Sequence, residues 1–313
     1  MTEPPQELAG RHAIVTGGAR GIGLAVARAL GSRGAKIVLA DAGLDPTGRP
    51  EDPSVAANAA AALRAEGIEA VPFVEALSTA ETAERLVAFA TERLGPVDIL
   101  VNNAAVLQDR MVWNLTMAAW DEVLAVNLSS AFYLLRQVAP GMRERRWGRV
   151  INMVSSAGLI GNTGQANYAA AKGGLAALSR VAALDLARYG VTVNAVAPFA
   201  HTRITDLIVP RHPAVAEYLT TVRGVASPDS VGQLAAYLAT EEAKVYTGQV
   251  FGVRGGEVFL FSAPRPVGVQ RYANSTPTAE NLAAAFARWE EQGLLTPLET
   301  DLEYMSRPLA TDE

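Results

Sequence analysis

Along the first 260 or so positions, short unbroken apolar runs alternate with stretches in which apolar residues recur at helical spacing. The runs are Ala13 to Thr16, Lys36 to Ala40, Ala70 to Val74, Val97 to Val101, Gly148 to Ser156, Thr192 to Ala197 and Gln249 to Val253. A strand apolar on both faces needs cover on both, so these runs predict the interior of a parallel sheet. Between the first two runs, Ile22, Ala25, Val26, Ala29 and Leu30 form a helical stripe that Gly34 closes. An alanine-rich helix is predicted from Ser54 to Glu66. Ser78-Thr79-Ala80-Glu81 has the form of a capping box opening a helix that reaches about Leu94. A long helix runs from Thr116 to about Arg145, another from Asn167 to Tyr189, and Ser227-Pro228 begins one more. The alternation predicts an α/β fold, a doubly wound seven-stranded parallel sheet with helices on both faces over residues 1–262.

Two stretches break the rhythm. Asp45 to Pro53, with Pro46, Gly48, Pro50 and Pro53, reads as a surface loop, and Arg203 to Gly224 is irregular where a substrate lid would sit. Residues 263–313 form a C-terminal extension, first proline-rich. Thr276-Pro277 then opens an amphipathic helix with Leu282, Ala285, Phe286 and Trp289 on one face.

Composition narrows the chemistry. The net charge of −5 gives no positive field for nucleic acid. The absence of cysteine removes disulfides, thiolate nucleophiles and thiolate metal sites together. His12, His201 and His212 match no zinc spacing, so no metal site is expected. The start, Met-Thr-Glu-Pro-Pro-Gln-Glu, is polar and acidic, and no apolar run approaches membrane-spanning length. A soluble cytoplasmic protein with a small-molecule substrate, and with no nucleic-acid or membrane partner, is the expectation.

The first apolar run leads into Thr16-Gly17-Gly18-Ala19-Arg20-Gly21-Ile22-Gly23 and then a helix and a strand. Glycines let a backbone approach a pyrophosphate, and the helix start offers free N–H groups to it. Asp41, ending the second strand, suits both ribose hydroxyls of an adenosine and repels a 2′-phosphate, which favours NAD over NADP. Arg20 is the counterweight. Farther on, Tyr168 and Lys172 lie four apart, on one face of a helix. A phenol titrates near 10 and an ammonium nearby favours its ionised form, which suits general acid/base work. The same spacing also serves a tyrosine packed inside and a lysine outside. Ser155 ends a strand thirteen residues before Tyr168. Asn127, inside an apolar helix, is costly unless its amide is bonded.

Together the glycine turn, Asn102-Asn103-Ala104-Ala105, Asn127, Ser155, Tyr168 and Lys172 resemble the short-chain dehydrogenase/reductase family over roughly residues 8 to 260. The resemblance implies a Rossmann-type fold and hydride transfer between nicotinamide and a secondary alcohol or ketone. It implies Tyr168 as acid/base and Ser155 as donor to the substrate oxygen. Lys172 would lower the phenol pKa and bind the nicotinamide ribose, and Asn127 would distort its helix and hold a water relaying protons to that lysine. Cofactor contacts fall on Gly17, Arg20, Gly21, Ile22, Gly23, Asp41, Asn103, Ala104, Tyr168, Lys172, Pro198 and Thr202. Pairing of the two long helices implies a homodimer or homotetramer. The sequence departs from the family at Ala105 and Phe199, where glycine is usual, at Ala76, where an adenine-touching aspartate is usual, and in the spacing of Thr202.

Leu107-Gln108-Asp109-Arg110, Gly161 to Tyr168 and Ala197 to Arg203 are similar to the (3R)-hydroxyacyl-CoA dehydrogenase and type 4 17β-hydroxysteroid dehydrogenase subgroup. That likeness implies a 3-hydroxyacyl-CoA or hydroxysteroid-type substrate, with Arg203, Arg211, Arg254 and Arg265 available for CoA phosphates. The alternatives are an NADPH-dependent ketone or 3-oxoacyl-carrier-protein reductase and, more remotely, a non-catalytic cofactor-binding protein.

Overall fold

In the computed structural model, which describes residues 6–206, 213, 216, 217, 220, 226–271, 276 and 278–307, every predicted apolar run is a strand. These are β1 (His12–Thr16), β2 (Lys36–Ala40), β3 (Ala70–Phe73), β4 (Ile99–Asn102), β5 (Gly148–Met153), β6 (Val191–Phe199) and β7 (Val250–Arg254). An eighth strand follows, β8 (Glu257–Leu260), giving one sheet in the order β3-β2-β1-β4-β5-β6-β7-β8. The seven-strand expectation is therefore corrected by one. Seven strands are parallel, and β8 folds back antiparallel with Arg254 opposite Glu257. Gly255, at φ +57°, makes that hairpin turn possible. A half-exposed strand of four residues at the edge carries too little apolar signal to be read from sequence.

The helices α1 (Gly21–Gly31), α2 (Val55–Ala65), α3 (Ala80–Arg93), α4 (Met117–Leu124), α5 (Ser130–Arg145), α6 (Ser156–Leu159), α7 (Ala166–Leu186), α8 (Arg203–Asp206) and α9 (Pro228–Leu238) connect the strands. Adjacent residues of one strand face opposite layers. Val15 packs with Val26 of α1, Leu63 of α2 and Val231 of α9, whereas its neighbour Ile14 packs with Leu86 of α3, Leu134 of α5 and Leu186 of α7. Burying one such side chain contributes about 1.5–3 kcal/mol, which is why every central strand is apolar throughout. Gly232 of α9 is required by a close approach to α1, since a Cβ there would stand 2.6 Å from the Ala25 carbonyl oxygen.

Three local expectations need adjusting. The cap of α3 is Thr79, not Ser78, its hydroxyl accepting the Thr82 N–H at 3.3 Å. The run from Thr116 to Arg145 is interrupted by a π turn, Ala125–Ser129, centred on Asn127. The predicted lid, with Arg211 and His212, lies largely outside the described residues, as does Pro277.

The chain divides into two units, Met1–Phe261 with Thr300–Glu313, and Ser262–Glu299. In the second, helix α10 (Ala279–Glu291) starts at Thr278, whose hydroxyl accepts the Asn281 N–H at 3.2 Å while the Asn281 side chain accepts the Thr278 N–H at 3.2 Å. Phe286 and Trp289 stack there at 5.4 Å. The extension thus differs from the expected single helix. Residues from Thr300 onward belong to the first unit, where α11 (Asp301–Met305) forms one short turn behind its own Thr300–Glu303 capping box.

Candidate active site

Sheet order reverses between β1 and β4, and in doubly wound sheets a ligand crevice opens at that point, beyond the strand C-termini. The glycine turn leaves β1 there. Gly17 and Gly21 have φ of +59° and +50°, conformations that L side chains rarely adopt. A Cβ on Gly23 would lie 2.0 Å from the Gly17 carbonyl oxygen, so only glycine closes this turn. Asn103, at the end of β4, braces it from the side. Its Nδ2 donates to the carbonyls of Thr16 at 2.9 Å and Gly17 at 3.1 Å, while the Asn103 and Ala104 N–H groups donate to Thr16 Oγ1.

The resulting cavity, about 250 Å³, is lined by Gly17, Arg20, Gly21, Ile22, Gly23, Asp41, Asn103, Ala104 and Thr202, nine of the residues singled out from sequence. Asp41 Oδ2 accepts the Ala19 N–H at 3.2 Å and Oδ1 the Gly43 N–H at 2.9 Å, which orients the carboxylate and leaves lone pairs unused. Glu75 and Ala76 also line the cavity, with the Glu75 carboxylate paired to Arg85. The Arg20 Nε–H is buried without a protein acceptor. A glycine cradle with an unpartnered guanidinium donor fits the anionic bridge of a dinucleotide.

Residues of the turn-rich insertion cross this groove. Leu107 N–H donates to the Pro46 carbonyl at 2.8 Å and Gln108 Nε2 to that of Thr47 at 3.0 Å. Glu51 Oε2 accepts from Arg20 Nη1 and Arg203 Nη1, each at 2.6 Å. Arg20 also donates to the Leu44 carbonyl at 2.9 Å. Sequence reasoning passed over Glu51, because nothing in a proline-rich surface loop marks one carboxylate among several.

Pro198 lies on β6, opposite Val253 and half-buried. Ser155, Tyr168, Lys172, Asn127 and Pro198 do not line this cavity. Ser155 follows β5 as the cap of α6, and its Oγ accepts the Ala157 N–H at 3.2 Å. The Ser155 hydroxyl acts on the Tyr168 phenol by lowering its pKa. Lys172, one turn along α7, is buried with 2% of its surface exposed. Its ammonium donates to the Met153 carbonyl at 2.7 Å and stands 5.8 Å from the Tyr168 ring centroid. Burial alone lowers its pKa to about 8.

The phenol moves opposite to the sequence expectation. Burial raises the Tyr168 pKa to about 12, the Ser155 hydrogen bond opposes this, and the charges of Asp109 and Asp301 add to the rise. Asn127 is satisfied on both sides of its amide, accepting the Val106 N–H at 2.8 Å and donating to the Val106 carbonyl at 2.9 Å. Its partner is thus the strand-end segment rather than a neighbouring helix. His201 pairs with Asp206 at 2.8 Å and is 43% exposed.

Of the two carboxylates whose charges act on the phenol, Asp109 lies in one of the stretches that carry the subgroup resemblance, and Asp301 has no motif that marks it from sequence. Asp109 accepts from Gln165 Nε2 at 2.8 Å, and burial raises its pKa. Asp301, on α11, accepts from Ser156 Oγ at 2.6 Å, and burial pushes it up to about 6.

A Rossmann-type sheet, a glycine cradle and a serine–tyrosine pair beside a buried lysine define a nicotinamide-dependent oxidoreductase of the short-chain type. Residues 11–211 match the short chain dehydrogenase family, to which the chain belongs. It is accordingly an enzyme acting on hydroxyl or oxo groups with NAD(P). It is 39% identical over 269 residues to hydroxyacyl-CoA dehydrogenase ChsB1 of Mycobacterium tuberculosis, covering 82% of this chain and 81% of that protein. It is 36% identical over 256 residues to a 3-oxoacyl-acyl-carrier-protein reductase of Synechocystis, covering 81% and 99%. The crystal structure of a short chain dehydrogenase from Mycobacterium avium superposes with a TM-score of 0.77 at 34% identity, covering 93% of this chain and 97% of that one.

Proposed function

We propose that the protein is an NAD-dependent dehydrogenase of a 3-hydroxyacyl-CoA or a similar secondary alcohol. The observation that carries this reading is Tyr168 one turn from buried Lys172 on α7, whose ammonium stands 5.8 Å from the phenol ring centroid. A bound nicotinamide supplies the hydride acceptor and, when oxidised, a fixed positive charge. Tyr168 takes the proton from the carbinol oxygen and returns it in the reverse direction. Ser155 donates to that same oxygen, stabilising the charge that grows on it. Lys172 orients the ribose and passes protons onward. Asn127, fixed by Val106 at the π turn, holds the water that leads to solvent, and Pro198 and Thr202 position the carboxamide.

Support for NAD over NADP comes from the rim of the groove. Asp41 offers free lone pairs to ribose hydroxyls, and Arg20, suited to a 2′-phosphate, is held by Glu51 and the Leu44 carbonyl. The likeness to the mycobacterial hydroxyacyl-CoA dehydrogenase supports the substrate class. Of the arginines considered for CoA, Arg203 pairs with Glu51, Arg254 pairs with Glu257, and Arg265 donates to the Pro264 carbonyl. Exposed Phe132 on α5 and Val181 and Leu184 on α7 support pairing between copies as a dimer or tetramer. No helix among the described residues is long and apolar enough to cross a membrane.

The test is a panel of 3-hydroxyacyl-CoA thioesters, hydroxysteroids and simple alcohols with NAD and NADP, followed by nicotinamide absorbance. Thioester oxidation with NAD is the expected result. Preferential reduction of 3-oxoacyl thioesters with NADPH would favour the other reading, which the likeness to the Synechocystis reductase supports.

A further inference from the structure

Asn167 stands immediately before Tyr168 in the first turn of α7 and is wholly buried. Both ends of its amide are used. Oδ1 accepts the backbone N–H of Tyr168 at 2.8 Å. Nδ2 donates to the Gln108 carbonyl, in the segment after β4, and to the Ala119 carbonyl on α4, each at 3.2 Å. A helix start leaves its first N–H groups without intrahelical partners, so the bond to Tyr168 has a capping use. The two donated bonds do not, because they leave α7 and reach two other elements. Burying an amide also carries a cost that alanine, the better helix former, would avoid. Further ties join the same two segments. The Arg110 N–H donates to the Gly164 carbonyl at 2.9 Å, and Gln165, the N-cap of α7, makes no cap bond with its side chain but donates to Asp109 at 2.8 Å.

We propose that Asn167 is a positioning residue for the reaction: its amide sets the place of Tyr168 relative to the segment that continues from the lining of the cofactor groove. This rests on the reading of Tyr168 as the acid/base. A helix fixes the spacing of Tyr168 and Lys172 but not where that pair lies against a bound dinucleotide, so the reference has to come from outside α7. The segment after β4 supplies it. Ala105 and Val106, just ahead of Gln108, line the groove. Gln108 itself holds the insertion that crosses the groove, its Nε2 donating to the Thr47 carbonyl at 3.0 Å, while its own carbonyl takes Asn167. One residue thus meets the groove side with its side chain and the turn of Tyr168 with its main chain. Chemistry between aligned atoms tolerates little error in such a placement.

The experiment uses the full chain and three variants. Asn167→Ala removes the amide. Asn167→Asp has the same shape and keeps the acceptor for the Tyr168 N–H but loses both donated bonds, so it serves even if Asn167→Ala does not fold. Asn194→Ala is the control for a merely structural loss. Asn194 is a buried amide on β6, away from the catalytic residues, donating to the Tyr246 carbonyl at 2.8 Å and accepting the Gln249 N–H at 3.1 Å. Per folded molecule, kcat for alcohol oxidation is expected to fall by up to about 10²-fold in both Asn167 variants, the cost of a misplacement of about 1 Å. The KM for NAD should change little in them, and Asn194→Ala should melt lower yet keep the wild-type kcat. Tyrosine ring signals in the magnetic resonance spectrum of the ligand-free protein, with that of Tyr168 assigned by Tyr168→Phe, should show Tyr168 displaced in the Asn167 variants and unmoved in Asn194→Ala. A wild-type kcat in either Asn167 variant, an unmoved Tyr168 signal, or an equal loss of kcat in Asn194→Ala would overturn the proposal. A wild type that oxidises no alcohol would refute the catalytic reading instead, while the ring signal still decides whether Asn167 places Tyr168.

Discussion

Lys172 donates its ammonium to the Met153 carbonyl at 2.7 Å rather than to the Tyr168 oxygen. The cation is buried deeply enough that its pKa falls to about 8. A base whose folded pKa is depressed sheds its proton sooner when folded than when unfolded. It therefore costs stability below about pH 8, and that cost fades as pH rises toward the unfolded value near 10.4. Lys172→Met removes a penalty of at most about 3 kcal/mol at pH 7. It also leaves the Met153 carbonyl unpaired, at about 1–3 kcal/mol. The two nearly cancel, so thermal melts at pH 7 should show little change while kcat/KM falls by about 10²-fold or more. A variant with normal turnover would remove the lysine from the mechanism.

Tyr168→Phe keeps the ring packed and deletes one oxygen. Turnover should fall by roughly 10²- to 10⁴-fold, the range expected for loss of a positioned acid/base. Dinucleotide affinity, followed by quenching of protein fluorescence, should change little because the glycine cradle is untouched.

Glu51 neutralises two guanidiniums at the mouth of the groove. Exposed pairs contribute only about 0–1 kcal/mol to stability, so Glu51→Gln should melt like the wild type. Its consequence is selectivity. With Arg20 and Arg203 released, a 2′-phosphate gains a charge-assisted hydrogen bond of about 1.5–3 kcal/mol. The ratio of kcat/KM for NADP to that for NAD should rise about tenfold or more, since 1.4 kcal/mol corresponds to a factor of ten. An unchanged ratio would separate these arginines from cofactor choice.

Asn127→Leu tests the π turn. The substitution strands the N–H and carbonyl of Val106, both buried, and each costs about 1–3 kcal/mol. Denaturant unfolding should register a loss of at least about 2 kcal/mol.

What sequence made legible follows from range. The strands and α1 announce themselves by local periodicity, and the glycine turn by residues only glycine can replace, so the fold and the cradle were readable. Ser155, Tyr168 and Lys172 sit within 18 positions of one another, and spacing alone puts Tyr168 and Lys172 one turn apart on α7. The direction of the Tyr168 shift was not, because it depends on desolvation and on Asp109 and Asp301, which arrive from distant segments. The π turn has no compositional signature beyond one buried amide. Strand β8 and helix α11 are too short for either period to repeat.

Asp301 also makes the fold's stability depend on pH in a direction opposite to that of most carboxylates. Its folded pKa, about 6, lies above its ordinary value of 3.8, so the native state holds that proton more tightly than the unfolded chain does. Stability from this group is full below about pH 4 and is lost as pH rises through about 6. Asn cannot ionise, so Asp301→Asn escapes that loss. Whatever fixed cost the amide carries from its own contacts cancels when one pH is compared with another. The stability of the variant relative to wild type should therefore increase between pH 4 and pH 7 by up to about 3 kcal/mol, read from urea unfolding at each pH. A relative stability that stays flat across this interval would mean that Asp301 is ionised as freely in the folded protein as in water.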